Sequence, residues 1–191
     1  MEAFSDGVFA IAITLLILTV NVPGRHGPLG HELLRLWPSY LAYGVSFLTV
    51  GIMWVNHHTI FRHFERVDRP LLFLNILLLM LIAFVPFPTR VAAEFIRSGE
   101  DRRAAALLYG LTMTATAIFF ISLWLYGSRR LLRTDADRRE VSGITRSYLP
   151  GTPLYGGATL LALASPTASL ILYAAIALFY ALSSSFFGRD E

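Results

Sequence analysis

The sequence predicts an all-α, polytopic membrane protein with six transmembrane helices per chain, and three observations predict it. The 191 residues are 55% hydrophobic and only 15% charged, where soluble domains carry about 25% charged residues. Six apolar stretches approach the length of about 20 residues that a spanning helix needs. None of them alternates apolar and polar residues, which excludes a transmembrane barrel. Helices then remain as the structure that satisfies its own backbone groups in hydrocarbon.

The first stretch, Phe4 to Val20, is stopped by Asn21, Pro23 and Gly24. Its acidic start, Met1-Glu2-Ala3-Phe4-Ser5-Asp6, and the lack of a small-residue cleavage pattern argue against a signal peptide. The second runs from about Trp37 to Phe61. The third, Leu71 to Val85, is expected to end at Pro86 and Pro88. The fourth, Ala104 to Gly127, is the cleanest. The last two, about Leu149–Ala164 and Thr167–Phe187, are separated only by Ser165-Pro166, a tight hairpin. The third and fifth are short, so tilt, local thinning or flanking residues must help them cross. Residues 129–146 form the only long polar stretch, read as a loop or a short surface helix. The length suggests one domain, residues 1–191.

All sixteen basic residues are arginine, and their placement orients the chain. Arg62, Arg66, Arg69, Arg129, Arg130, Arg133, Arg138, Arg139, Arg146 and Arg189 fall on one side. Arg25, Arg35, Arg90, Arg97, Arg102 and Arg103 fall on the other. The positive-inside rule therefore predicts a multi-pass protein of the cell membrane with both termini cytoplasmic. The arginines form no patch or stripe, so nucleic acid is not an expected partner. Cysteine is absent, which removes disulfides and thiolate chemistry.

Polar residues inside apolar runs mark the candidate sites. Ser5 and Asp6 open the first helix, either as a helix N-cap or as members of a functional site. Ile11, Thr14, Leu15 and Leu18 fall at i, i+3, i+4 and i+7, on one helical face. That stripe is ordinary packing in a lone helix. Around a rotation axis shared by several copies it becomes stacked apolar rings with one hydroxyl ring, a constriction able to gate by dewetting.

His57 and His58 end the second helix and diverge by about 100°, so they do not share one metal as an i, i+4 pair would. Together with His63 and Glu65 they make no plausible metal site, and Asp6 is an attractive partner for one histidine. Thr49-Val50-Gly51 resembles the start of a carbonyl filter but lies within a continuous apolar run. Gly44 and Gly51 are expected to admit a neighbouring helix, and Asn75 to bond between helices. No cofactor is expected, and no nucleophile stands at catalytic spacing, so the chain is not read as an enzyme. A secondary transporter or a non-conducting membrane assembly protein are the alternatives to a channel.

Three blocks carry a family resemblance: Phe4-Ser5-Asp6-Gly7-Val8-Phe9-Ala10-Ile11-Ala12-Ile13-Thr14-Leu15-Leu16, Trp54-Val55-Asn56-His57-His58, and Pro86-Phe87-Pro88-Thr89. They resemble the prokaryotic members of the lysosomal/endosomal potassium-channel family (transmembrane protein 175). The resemblance implies a homotetramer around a central pore lined by the first helix, conducting K+ through a hydrophobic constriction in place of a carbonyl filter. It implies that Ile11 forms the narrowest ring, that Leu15 and Leu18 form further rings, and that Thr14 supplies a hydroxyl layer. It further implies that Ser5, Asp6, Trp54 and His57 anchor the pore helix. The family's motif carries an Arg four residues before the Phe, a position that would precede Met1 here.

Overall fold

A computed structural model describes residues 1–24, 27–98 and 101–187, without the side chains of 96–98 and 183–187. Arg25 and Arg189, used above for orientation, lie outside the described residues, as does the side chain of Arg97.

The described chain is almost entirely helical. Helix α1 (Glu2–Leu15) tightens into a 3₁₀ turn over Leu16–Thr19, and Val20 then leaves in an extended conformation. A short helix α2 (Leu29–Arg35) follows, with Glu32 and Arg35 paired one turn apart at 3.6 Å. No element was expected between Val20 and Trp37; the Leu-x-x-x-Leu-Leu spacing after Pro28 is its faint signature. Helix α3 (Trp37–Arg62) spans the second apolar stretch.

Helix α4 (Arg69–Phe84) is capped by Asp68, whose Oδ1 accepts from the Leu71 amide at 3.0 Å. The expectation that Pro86 ends this segment needs correction. Pro86 opens a further helix, α5 (Pro86–Ser98), directly after α4. A proline in the first turn of a helix surrenders an amide that has no intrahelical partner anyway, so it breaks one helix and starts the next. The two together make a kinked segment, Arg69–Phe95, long and apolar enough to cross a membrane.

Helix α6 (Arg102–Arg130) is the longest. Helix α7 (Arg138–Tyr148), capped by Asp137, occupies the polar stretch and realises its surface-helix reading. Helices α8 (Gly151–Ala164) and α9 (Pro166–Phe187) meet at Ser165, as the hairpin expectation holds. Among the described residues four segments are long and apolar enough to span by length and composition: Glu2–Thr19, Trp37–Arg62, Arg69–Phe95 and Arg102–Arg130. Helix α8, at 14 residues, rises about 21 Å at about 1.5 Å per residue, less than the roughly 30 Å of a hydrocarbon core.

Large apolar side chains stand exposed around the bundle, among them Phe73, Met80, Leu160, Ile171 and Phe179. Apolar surface on this scale is what a lipid environment accepts and water does not. Inside, α6 packs against α4, α5, α8 and α9, while α1 lies on α3 and α4. Close approach occurs at Gly127, where an added Cβ would overlap the Phe64 ring, and at Gly110, beside Thr159 and Tyr173. Gly44 and Gly51 behave differently from the expectation: nothing in the protomer lies within 4 Å of a Cβ built on either.

Candidate functional site

Helix α1 divides cleanly by face. Ser5, Phe9, Ala12 and Leu16 are buried against the bundle. On the other side Phe4, Gly7, Ile11, Thr14, Leu15 and Leu18 are exposed, an open strip running the length of the segment. Ile11 is 61% exposed and Leu18 63%, whereas Phe9 and Leu16 on the opposite face are buried and Ile13 partly so. All four predicted stripe residues therefore share the open face. In a 3₁₀ turn residues i and i+3 eclipse, which brings Leu18 over Leu15. Ile17 is exposed as well, a consequence of that tighter winding that α-helical spacing does not show. The Thr14 hydroxyl donates to the Ile11 carbonyl at 2.9 Å. Its proton is thus committed to the helix, and the oxygen lone pairs remain available on the open side.

The packed face is held by polar contacts at the Met1 end. Ser5 and Asp6 lie within α1, whose N-cap is Met1, so the N-cap alternative for them is corrected: the Ser5 amide already bonds to the Met1 carbonyl. Asp6 Oδ1 accepts from Trp54 Nε1 at 2.8 Å. Asn75 Nδ2 donates to Ser5 Oγ at 3.1 Å, and Asn75 Oδ1 lies 2.8 Å from His57 Nε2. Ser5, His57 and Asn75 are all at most 2% exposed. Three helices, α1, α3 and α4, are thereby joined by one chain of hydrogen bonds through buried groups, the arrangement that satisfies polar side chains in an apolar interior.

Asp6 was expected to meet a histidine and instead meets the indole of Trp54. The reason is helical geometry: Trp54 precedes His57 by three residues, so its ring reaches the rim where Asp6 sits, while His57 points inward. There the His57 ring packs edge-on against Phe9 at 5.3 Å and beside Phe61 at 4.5 Å. His58 is exposed and tilts beside Trp54. His63 pairs with Glu140 of α7 at 3.1 Å, not with Glu65. Among the described residues no group of three or more His, Asp or Glu is placed to hold a metal ion. Thr49, Val50 and Gly51 are helical, with the Thr49 hydroxyl bonded back to the Val45 carbonyl at 2.8 Å, so they present no carbonyl filter.

Sequence reasoning named Asn75 as an interhelical bond but not as the centre of this network. A lone amide in a run of Leu and Ile was the available signal.

The profile of the family described as endosomal/lysosomal potassium channel TMEM175 matches residues 1–86, which contain α1, α3 and α4. A protein of Streptomyces collinus described as a potassium channel is 46% identical over 184 residues, covering 94% of this chain and 89% of its own. One from Chamaesiphon minutus, also described as a potassium channel, is 45% identical over 192 residues, covering 97% of this chain and 94% of its own. The crystal structure of a lysosomal potassium-selective channel TMEM175 homolog from Chamaesiphon minutus superposes with a TM-score of 0.88 at 44% identity. That match covers 96% of this chain and 95% of the other. With relatives this similar over nearly its whole length, the chain belongs to the endosomal/lysosomal potassium channel TMEM175 family.

Proposed function

We propose that this chain is the subunit of a passive, potassium-preferring cation channel in which the open face of α1 borders the ion path. The observation that carries the reading is the exposed strip of Ile11, Thr14, Leu15 and Leu18 on a helix whose other face buries Ser5, Phe9, Ala12 and Leu16. Its relatives described as potassium channels supply the permeant ion. The family is one of ion channels, and no catalytic chemistry is assigned to the chain.

The assembly proposed is a homotetramer around a central axis, each protomer a single domain over residues 1–191 that crosses the cell membrane six times with both termini cytoplasmic. Four copies of α1 would stack the side chains of Ile11, Leu15 and Leu18 into apolar rings. A charge in a dry apolar ring is expensive, so touching rings hold the path closed and a widened, wetted path conducts. Ile11 forms the narrowest ring. Thr14, one turn on, turns its lone pairs toward the axis and replaces part of an ion's water. The Asp6–Trp54 and Ser5–Asn75–His57 bonds fix the rotation of α1, and with it the direction in which Ile11 points. K+ is the conducted species, not a bound cofactor.

Potassium flux into liposomes reconstituted with Ile11→Asn tests this directly. A polar ring at the constriction raises flux and weakens discrimination against sodium; unchanged flux and selectivity in a folded variant remove Ile11 from the path.

A further inference from the structure

A second site lies away from α1. Helices α3, α5, α6 and α9 enclose a cavity of about 310 Å³, within the range of about 300–1,000 Å³ typical of ligand pockets. Trp37, Arg102 and Pro166 stand at one end of it, each in the first turn of its helix, so the mouth opens where α3, α6 and α9 begin. Ser46, Tyr109 and Tyr173 also line it, seven to nine residues further along those helices, which places the floor roughly 10 Å deeper.

The floor asks nothing of a ligand. Ser46 bonds to Thr89 at 2.8 Å and to Tyr109 at 3.4 Å, and Tyr173 bonds to Thr159 at 2.7 Å, so these hydroxyls satisfy one another. Between floor and mouth the walls are Leu41, Val45, Ala92, Leu170, Ile171 and Ala174. Leu41 and Ile171 are more than half exposed, so the cavity opens sideways toward whatever surrounds the bundle. At the mouth the exposed guanidinium of Arg102 forms no ion pair among the described residues. An apolar space of this size in a close-packed interior does not stay empty when an apolar chain is at hand.

We infer that this cavity holds the acyl chain of a membrane lipid whose anionic headgroup is bound by Arg102. Charge complementarity selects the headgroup: a planar cation with free donors recognises phosphate oxygens by charge-assisted hydrogen bonds. The self-satisfied floor selects the tail, since a polar ligand would find no partner there. The inference depends on the chain lying in a membrane and not on the path beside α1, so potassium flux does not enter its test.

The test uses the purified full chain, stripped of lipid in detergent and incubated with phosphatidylglycerol or phosphatidylcholine. Lipid retained per protomer is counted by native mass spectrometry. Wild type is expected to retain phosphatidylglycerol about fivefold over phosphatidylcholine, the ratio that one exposed ion pair supports. Arg102→Gln should bring the two lipids to parity. Ala174→Phe, which fills the cavity, should lose both; Ile171→Trp, at an exposed rim position, serves the same purpose with no buried volume to accommodate. Retention of phosphatidylglycerol at the wild-type level by Arg102→Gln, or by both filling variants, overturns the proposal. So does efficient disulfide formation between protomers through Leu41→Cys or Ile171→Cys, because a second copy would then cover the cavity.

Discussion

Asn75 and His57 face each other across α3 and α4 with Oδ1 and Nε2 2.8 Å apart, both buried. The Asn75 amide nitrogen is spent on Ser5, so its oxygen is the acceptor and His57 Nε2 is the donor. Asn75→Ala strands both the Ser5 hydroxyl and the His57 ring, at a cost of about 1–3 kcal/mol for a buried unsatisfied group. A lowered melting temperature in detergent is expected. His57→Ala combined with Asn75→Ala should cost less than the two single changes added, since the pair shares one interaction.

The Asp6–Trp54 bond tethers the Met1 end of α1 at a partly exposed position. Trp54→Phe keeps the ring's bulk and deletes the donor. Hydrogen bonds to ionised acceptors are worth about 1.5–3 kcal/mol, and exposure reduces that here, so the fold should survive with a small drop in melting temperature. Potassium flux in liposomes should change more than stability does, because the rotation of α1 is no longer fixed. Asp6→Asn retains an acceptor and should lie between wild type and Trp54→Phe in flux.

Gly127 packs against the tip of the Phe64 ring, which in turn stacks on Trp124 at 6.1 Å. Gly127→Ala should destabilise by about 1–3 kcal/mol, the usual cost of overpacking, read as a melting shift. Phe64→Leu in the same chain should recover part of it. Gly44→Ala and Gly51→Ala meet open space within the protomer, so neither should shift the melting temperature of a dissociated protomer. A loss of assembled species in native mass spectrometry for these two variants places their face of α3 between subunits.

Much of this architecture is legible in the residues. Long apolar runs place α3, α6 and α9 closely, because hydrocarbon leaves the backbone no alternative to helix. Proline was read less well. Pro86 in an apolar run signals a break, yet whether the chain then turns or starts another helix depends on what α5 packs against, here α3 and α6. The stripe on α1 fits helical spacing, which any apolar helix offers, and the family resemblance singled it out; the exposure of Ile17 required the 3₁₀ turn to be seen. The family resemblance grouped Ser5 and Asp6 with Trp54 and His57, and Asp6 does bond to Trp54; that Asn75 bridges Ser5 to His57 was not legible, since it depends on how α1, α3 and α4 rotate about their axes. Among the glycines, the close contacts within the protomer fall at Gly110 and Gly127, whereas Gly44 and Gly51, which spacing marks, meet no atom of the same chain within 4 Å.

Asp68 caps α4 and also accepts from the Tyr126 hydroxyl of α6 at 2.6 Å. The Tyr126 hydrogen bond, assisted by the Leu71 amide, holds its carboxyl below the ordinary value of 3.8. A depressed carboxyl pKa stabilises the folded state above the unfolded value and loses that contribution as pH falls through the folded one. Melting temperature of the wild type should therefore decline below about pH 4, the ordinary range of an aspartate. Asp68→Asn should melt lower at neutral pH and show a shallower decline on acidification.

The chain contains no cysteine, so single cysteines introduced into it can be probed without background. Ile11→Cys, reconstituted in liposomes and exposed to a water-soluble thiol reagent, asks most directly whether the open face of α1 borders the ion path. Potassium flux through Ile11→Cys should be blocked by the reagent, while flux through Phe73→Cys, on an exposed face of α4, should continue. Flux through Ile11→Cys that persists under the reagent, together with block at Phe73→Cys, would place the conduit elsewhere and contradict the account.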